Sequence, residues 1–433
     1  MQRSGWGWVA VGVVFGLGCL WRWHYLFHVH PPTAFLYSDM KGYVETALRW
    51  FDPAYVQSIA DTLYPPGTAY FLGWLHAIDP SWRLAIVVQC VLSCLVPLLL
   101  ADTARVLYGR RAAWLTLIVS SGYFPFLDHA GYFFSEGPLL VAVIATMWAL
   151  VRALDARRRR TAWSGALVAG VFLGMAAAVK SVVLVPALAV AGVLGVAAWR
   201  VRARRAAWCG VLVTAGIGFV LVCIPLSRRC TRLNEGDFCL ISNNGPMNVL
   251  LGHAGAIKGI RWTDPQRHFV HEFGCPVANQ RGYTAMLEFP FGAYESQPNL
   301  AAAWHWIRRH PGDALLLSIE HVFDLFAGTL PWPTSHTPQR RWINLFQQLY
   351  WIFILLPALY YLARRLPSAR AGNGPILADC LMIAPLLGLM AVVFATKGEP
   401  RYRIAYDGFM IVVAAHAYTR RRDDDLTPAA PTT

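Results

Sequence analysis

Apolar runs of about twenty residues recur along this chain, and short clusters of arginine separate them. The runs begin near Trp6, Leu84, Ala112, Phe133, Trp163, Val182, Ala207, Trp342, Ile376 and Tyr402. Each is long enough for a helix to cross the roughly 30 Å of bilayer hydrocarbon. A backbone in hydrocarbon must satisfy its own hydrogen bonds, so helices are the expected form. Of 433 residues, 56% are apolar and 14% charged, where a soluble domain has about 25% charged. That balance excludes a soluble globule, a disordered chain, a collagen-like repeat and a secreted disulfide scaffold. The net charge is +14. The cations lie between apolar runs, so orientation in the membrane explains them and no nucleic-acid partner is called for.

The first run, about Trp6 to Phe27, follows Arg3 and is too long for a signal-peptide core. No small-residue cleavage site follows it, so it is expected to be a retained span. Five basic clusters orient the rest: Arg105, Arg110 and Arg111; Arg152 with Arg157 to Arg160; Arg200, Arg202, Arg204 and Arg205; Arg364, Arg365 and Arg370; and Arg420 to Arg422. All can be cytoplasmic only if the apolar run from Ala314 to Leu330 does not cross. That run is expected to be an amphipathic helix lying on, or re-entering, the outer face. The fold class is then an all-α polytopic membrane protein with about ten transmembrane helices, external juxtamembrane helices and both termini inside. The expected division is an N-terminal transmembrane module over 1–226 with a first external loop over 28–81, a large external loop with interfacial helices over 227–341, C-terminal transmembrane helices over 342–419, and a disordered cytoplasmic tail over 420–433.

Loops as long as the two external ones are uncommon without a function, whereas the cytoplasmic loops are short and basic. Chemistry is therefore expected on the external face. Cys230, Cys239 and Cys275 lie in the second external loop, where a disulfide and three unpaired thiols are both open readings. No spacing resembles a zinc site.

In the first external loop, Met40, Tyr43, Val44, Ala47, Leu48 and Phe51 fall on one helical face, and Lys41, Glu45 and Arg49 form i,i+4 pairs on the other. Asp39 opens that helix, either as its cap or as a carboxylate held at the membrane surface as a base. Leu63-Tyr64-Pro65-Pro66-Gly67 then breaks one helix and opens the next. Asp128 and His129 lie in a short external connection, and Glu136 stands at the outer end of the span that follows. An acid at that depth is either an ordinary helix-start residue or a functional one. Lys180 is the sole charge in a long apolar tract. It either snorkels to the interface or binds a lipid phosphate.

These residues, taken in order, resemble the GT-C superfamily of integral-membrane glycosyltransferases. The likeness is nearest to the branch of protein O-mannosyltransferases and lipid A aminoarabinose transferases. The pattern runs from Asp39-Met40-Lys41-Gly42-Tyr43, through Tyr64 to Leu75, to Ser135-Glu136-Gly137-Pro138. It continues with the Gly-rich stretch Gly174 to Lys180, then Ser242-Asn243-Asn244-Gly245-Pro246-Met247-Asn248, and ends at Pro400-Arg401-Tyr402. Their order, more than any one motif, carries the resemblance. Where the family pattern often has Asp-Glu this chain has Asp39-Met40, which sets it apart from the protein-mannosyl version.

The resemblance implies a polyprenyl-phosphate sugar donor, a glycan, lipid or protein acceptor in the cell envelope, and transfer with inversion on the extracytoplasmic face. It implies Asp39 as catalytic base, with Glu136 as a second catalytic acid. Lys180 and Arg401 become the cations for the donor phosphate, although Arg401 is equally read as an interfacial anchor. Asp128, His129, Tyr43, Tyr64, Tyr402, Asn243 and Asn244 are further substrate-binding candidates. For the asparagines the plain alternative is turn chemistry, and for the aromatic residues an interfacial belt. No cofactor is demanded; a divalent metal is compatible with the acids, but no ligand cluster requires one. The arginine-rich composition points to a bacterial inner membrane, with a periplasmic or extracytoplasmic active site. A transporter or flippase of a lipid-linked sugar is the alternative. It calls for charges deep within spans and helices broken at mid-membrane.

Overall fold

The structure, a computed structural model, describes residues 6–36, 39–253, 259–264, 269–274, 286–326, 340–370 and 376–420. The chain beyond residue 420 and Cys275 lie outside the described residues, as does the end of the Ala314–Leu330 run. Among the described residues, eight helical segments are long and apolar enough to cross a membrane: Val9–Ala34, Arg83–Tyr108, Glu136–Asp155, Arg159–Val179, Ser181–Arg200, Arg202–Leu233, Asn344–Arg365 and Leu377–Ala395.

The helices within these segments are α1 (Trp6–His24), α4 (Arg83–Tyr108), α7 (Glu136–Asp155), α8 (Arg159–Val179), α9 (Leu184–Arg200), α10 (Arg205–Leu233), α15 (Leu356–Arg370) and α16 (Ile376–Ala395). The other two expected spans are helical but differ in kind. The run from Ala112 forms α5 (Arg110–Gly122), only 13 residues long, with the short α6 (Phe124–Asp128) opening the connection to the next span. Pro125 at the start of α6 stops α5 from continuing. The carbonyls of Ser120 and Ser121 in the last turn of α5 instead accept from the Arg22 guanidinium of α1, at 3.3 and 2.8 Å. The run from Tyr402 forms α17 (Pro400–Thr419), which carries Arg401, Arg403 and Asp407 and is buried from Pro400 to Ala415 except at Tyr402. Ringed by other helices, it can hold charges that a lipid-facing helix could not.

Those charges are paired. Arg403 and Asp407 are fully buried and form an i,i+4 bridge at 2.7 Å. Tyr123 donates to Asp407 at 2.7 Å, Arg403 donates to the Leu325 carbonyl at 3.0 Å, and it also donates to Gln347. The basic clusters sit where alternating helices end. Tyr108 of α4 stacks on His416 of α17 and donates to Asp379 of α16, and Asp379 also meets Arg365 of α15. Asp102 of α4 is shared by Arg105 and by Arg152 of α7. One end of the bundle is therefore basic, as the orientation argument expects.

A layer of shorter elements covers the opposite end: α2 (Asp39–Trp50), α3 (Gly67–Ile78), α11 (Asn244–His253), α12 (Ser296–Arg309) and α13 (Pro311–Asp324), while α14 (Arg340–Tyr350) runs through the π-helical turn Trp351–Leu355 into α15 and lies mostly within the segment Asn344–Arg365. Helix α13, at 14 residues, is about 21 Å long and too short to cross. It buries Ala314, Leu317, Ser318 and His321 and exposes Leu315, Leu316, Ile319 and Phe323, as expected of an interfacial helix. A small sheet was not anticipated. Strand β1 (Gly259–Asp264) pairs antiparallel with β2 (Phe269–Gly274) and parallel with β3 (Met286–Phe289). Buried Trp262 joins it to a second apolar core with Leu63, Met247, Leu250 and Tyr294. Cys230 and Cys239 form a disulfide in this layer, which settles their pairing.

Helix α8 carries Gly170 and Gly174 where α10 crosses it. A Cβ on Gly170 would lie 1.9 Å from the Ala215 carbonyl oxygen. Small residues let helix backbones approach this closely in lipid, where burial between helices gains little. Gly192 of α9 has nothing within 4 Å. Gly170→Ala is therefore expected to destabilise the protein by roughly 1–3 kcal/mol. Gly192→Ala is expected to be neutral or slightly stabilising. Thermal unfolding of the purified variants in one detergent checks the pair.

Candidate active site

Four chain segments bring the site together at the end opposite the basic clusters, and each places its charge at a helix terminus or a break. Asp39 is the first residue of α2. Below it Met40 packs with Tyr132 and Phe134, so the amphipathic face of α2 fixes the carboxylate at the rim. Glu136 opens α7, where the helix dipole favours an acid. Lys180 falls in the extended break between α8 and the 3-10 turn Ser181–Val183 that leads into α9. This is why the two spans meet there without a loop. Arg401 lies in the first turn of α17. The Pro65-Pro66-Gly67 turn packs on the end of α8, where a Cβ on Gly67 would lie 2.7 Å from the Ala178 backbone. That contact sets Tyr64 near the break that holds Lys180.

The four charged residues selected from the sequence converge. Lys180 Nζ meets Glu136 Oε1 at 2.6 Å. Arg401 Nη1 lies 3.8 Å from Glu136 Oε1 and 3.7 Å from Asp39 Oδ2. The Ser135 hydroxyl donates to Glu136 Oε2 at 2.8 Å. Exposure separates the acids: the Glu136 side chain is 2% exposed and that of Asp39 32%. Glu136 is locked between cations, while Asp39 is open to an incoming group. The aromatic candidates join in. The Tyr402 ring carries Lys180 Nζ at 4.3 Å, and Arg401 lies over Tyr402 and Phe134 at 5.3 and 5.0 Å. Tyr43 packs against Tyr64 and Phe134. Burial first, and then the Asp39 charge, raise the phenols of Tyr43 and Tyr64 above their ordinary value, so both stay protonated donors.

Two further members escaped the sequence reading. Lys397 and Glu399 lie between α16 and α17. Glu399 Oε1 meets Lys397 Nζ at 2.7 Å, and Glu399 Oε2 meets Arg401 Nε at 2.5 Å. Burial alone would raise the Glu399 carboxyl, but Arg401 and Lys397 pull it down to about 2. The signal was present: Lys397-Gly398-Glu399-Pro400-Arg401 packs three charges into five residues beside an apolar run.

Other candidates sit elsewhere. Asn243 donates its amide to Thr62 and Asn234, tying the two long loops together, and Asn244 opens α11 and accepts from Ser242. Asp128 is fully buried and accepts from Tyr25 of the first span at 2.6 Å. His129 lies behind the cluster, within the electrostatic reach of Glu136, Arg401 and Lys180. Burial lowers its pKa to about 4, so it is neutral. Among the described residues no group of three or more His, Cys, Asp or Glu is set to hold a metal ion. The site acids face cations instead, so no step is assigned to a metal.

Burial raises the Asp128 carboxyl to about 7, and its Oδ2 has no hydrogen-bond donor among the described residues. The folded protein then holds a proton that the unfolded chain releases above its ordinary carboxyl pKa, so this residue costs stability as pH rises from about 4 to about 7. Asp128→Asn keeps an acceptor for Tyr25. Its stability relative to wild type should rise through that window and level off above it, as thermal unfolding across pH would show.

A model of the family described as dolichyl-phosphate-mannose-protein mannosyltransferase matches residues 64–226, a stretch that holds Tyr64, Glu136 and Lys180 and is under half of the chain. No curated protein matches. Among solved structures, the Archaeoglobus fulgidus oligosaccharyltransferase in complex with Zn and sulfate is similar, with TM-score 0.53 and 14% identity, over 95% of this chain and 49% of that one. The archaeal oligosaccharyltransferase AglB from Archaeoglobus fulgidus, in complex with an inhibitory peptide and a dolichol-phosphate, gives TM-score 0.50 and 14% identity over 96% and 50%. ArnT from Cupriavidus metallidurans bound to undecaprenyl phosphate gives 0.43 and 15% over 96% and 78%. The chain spans about half the length of the archaeal structures it matches. At these identities the archaeal likeness is one of fold, and with the family match it bears out the resemblance to the GT-C glycosyltransferases.

Proposed function

We propose that this protein is a membrane glycosyltransferase that moves a sugar from a polyprenyl-phosphate donor to a cell-envelope acceptor. One observation carries the reading. Residues 39, 136, 180 and 401, far apart in sequence, form one network of two carboxylates and two cations at the end opposite the basic clusters. A lipid phosphate needs cations at the membrane boundary, and a hydroxyl nucleophile needs a base beside them. The family match and the dolichol-phosphate held by a protein of similar fold point to the same donor class.

The donor's tail stays in the bilayer and its phosphate takes Lys180 and Arg401. The acceptor hydroxyl gives its proton to Asp39 and its oxygen attacks the anomeric carbon. The bond from that carbon to the phosphate oxygen breaks, and the electron pair leaves with the lipid phosphate. Attack opposite the leaving group inverts the centre. Lys180 and Arg401 balance the charge that grows on the phosphate. Glu136 orients both cations and takes no proton. Tyr64 and Tyr402 offer phenol and ring contacts to the sugar. By the positive-inside rule this face is extracytoplasmic, periplasmic if the membrane is a bacterial inner membrane. The Cys230–Cys239 disulfide in the same layer suits an oxidising compartment.

Asp39→Asn tests the assignment. With a labelled polyprenyl-phosphate sugar, the variant should lose more than about a hundredfold in kcat while its donor binding and folding persist. Equal turnover in both proteins would leave Asp39 as a helix cap.

A further inference from the structure

We propose that the Glu399 carboxylate is a built-in placeholder for the donor phosphate, and that Lys397 is a third phosphate cation held in reserve by it. The inference rests on the glycosyltransferase reading above. Glu399 divides its two oxygens between Lys397 and Arg401, as a phosphate would divide two of its own. The loop that carries it is clamped by backbone contacts. A Cβ on Gly252 of α11 would lie 1.7 Å from the Thr396 carbonyl oxygen, and one on Gly398 would lie 1.9 Å from the His321 carbonyl oxygen of α13. His321 in turn reaches the Gly252 carbonyl at 2.9 Å. Two helices of the external layer therefore hold Lys397 and Glu399 in place from both sides.

Charge balance gives the pair its role. Without donor, Lys180, Lys397 and Arg401 face Asp39, Glu136 and Glu399, and among the described residues these six charges cancel. A lipid phosphodiester brings one negative charge, and cleavage leaves a phosphate carrying up to two. That charge is accommodated only if a carboxylate gives up its cations. Glu136 is 2% exposed and cannot move aside, and Asp39, though 32% exposed, meets Arg401 but neither lysine, so its departure would free no second cation; Glu399 and Lys397 are 22% and 26% exposed and bridged to each other. Glu399 is therefore the acid that yields, and its departure frees Lys397 and the Nε edge of Arg401 together.

Binding of undecaprenyl monophosphate to the purified full chain tests this, with wild type, Glu399→Gln, Lys397→Gln and Lys397→Arg compared and thermal unfolding confirming that each is folded. Glu399→Gln should bind about tenfold more tightly than wild type, Lys397→Gln at least tenfold more weakly, and Lys397→Arg should recover most of the loss. Binding by Glu399→Gln that is unchanged or weaker would overturn the placeholder, since a residue that merely positions Arg401 can only weaken binding when lost. Unchanged affinity in Lys397→Gln would overturn the third cation. Inorganic phosphate is the competitor arm: displacement of the lipid at equal concentration would overturn a lipid phosphate as the ligand. If wild type binds the lipid and transfers sugar while Glu399→Gln does not tighten, this inference fails alone. If wild type neither binds nor transfers, the glycosyltransferase reading fails with it.

Discussion

A guanidinium buried at the edge of a bilayer must have counter-charge close by, and in this protein that demand falls on Arg401. Glu399, Glu136 and Asp39 all lie within 4 Å of it, and they come from the start of the last helix, the start of α7 and the start of α2. Losing one partner leaves an uncompensated charge, so the arrangement holds the helix ends in register as well as preparing chemistry. Lys180 extends the network to the break between α8 and α9, and Lys397 to the loop clamped by α11 and α13. The layer of short elements and the bundle of long apolar helices thus meet at one group of charges.

Much of this was legible because membrane physics writes simple patterns. Apolar runs of span length gave the helices, and arginine clusters gave the end that now gathers Tyr108, Arg365, Asp379 and His416. Glu136 and Lys180 stood out because a charge beside hydrocarbon needs a reason, Asp39 because it opens an amphipathic helix, and Arg401 through the resemblance to the GT-C pattern. The remainder was hidden by position. Lys397 and Glu399 look like an ordinary polar loop until the two backbone contacts that fix them are seen. Arg22 lies inside the first apolar run, and its partners are carbonyls of α5, a kind of pairing that leaves no mark in side-chain patterns. The three-stranded sheet and the second core lie in a long loop, where strand pairing and Trp262 burial depend on contacts between distant segments.

The transporter alternative called for deep charges, and Arg22, Arg403 and Asp407 are such charges. Their bonding argues for scaffold. Arg22 is spent on Ser93, Gly18, Ser120 and Ser121, and Arg403 on Asp407, Gln347 and the Leu325 carbonyl. Groups held by so many bonds have no ready second arrangement, whereas alternating access requires one. The acids of the site with partial exposure, Asp39 and Glu399, lie at the rim opposite the basic clusters.

The most direct test uses wild-type protein in liposomes loaded with a labelled polyprenyl-phosphate sugar, read in parallel for sugar released or transferred and for lipid moved between leaflets. The account predicts cleavage of the sugar–phosphate bond, with lipid phosphate as co-product and no protein-dependent change in leaflet distribution. Movement of intact donor across the bilayer without cleavage of its sugar–phosphate bond would contradict it.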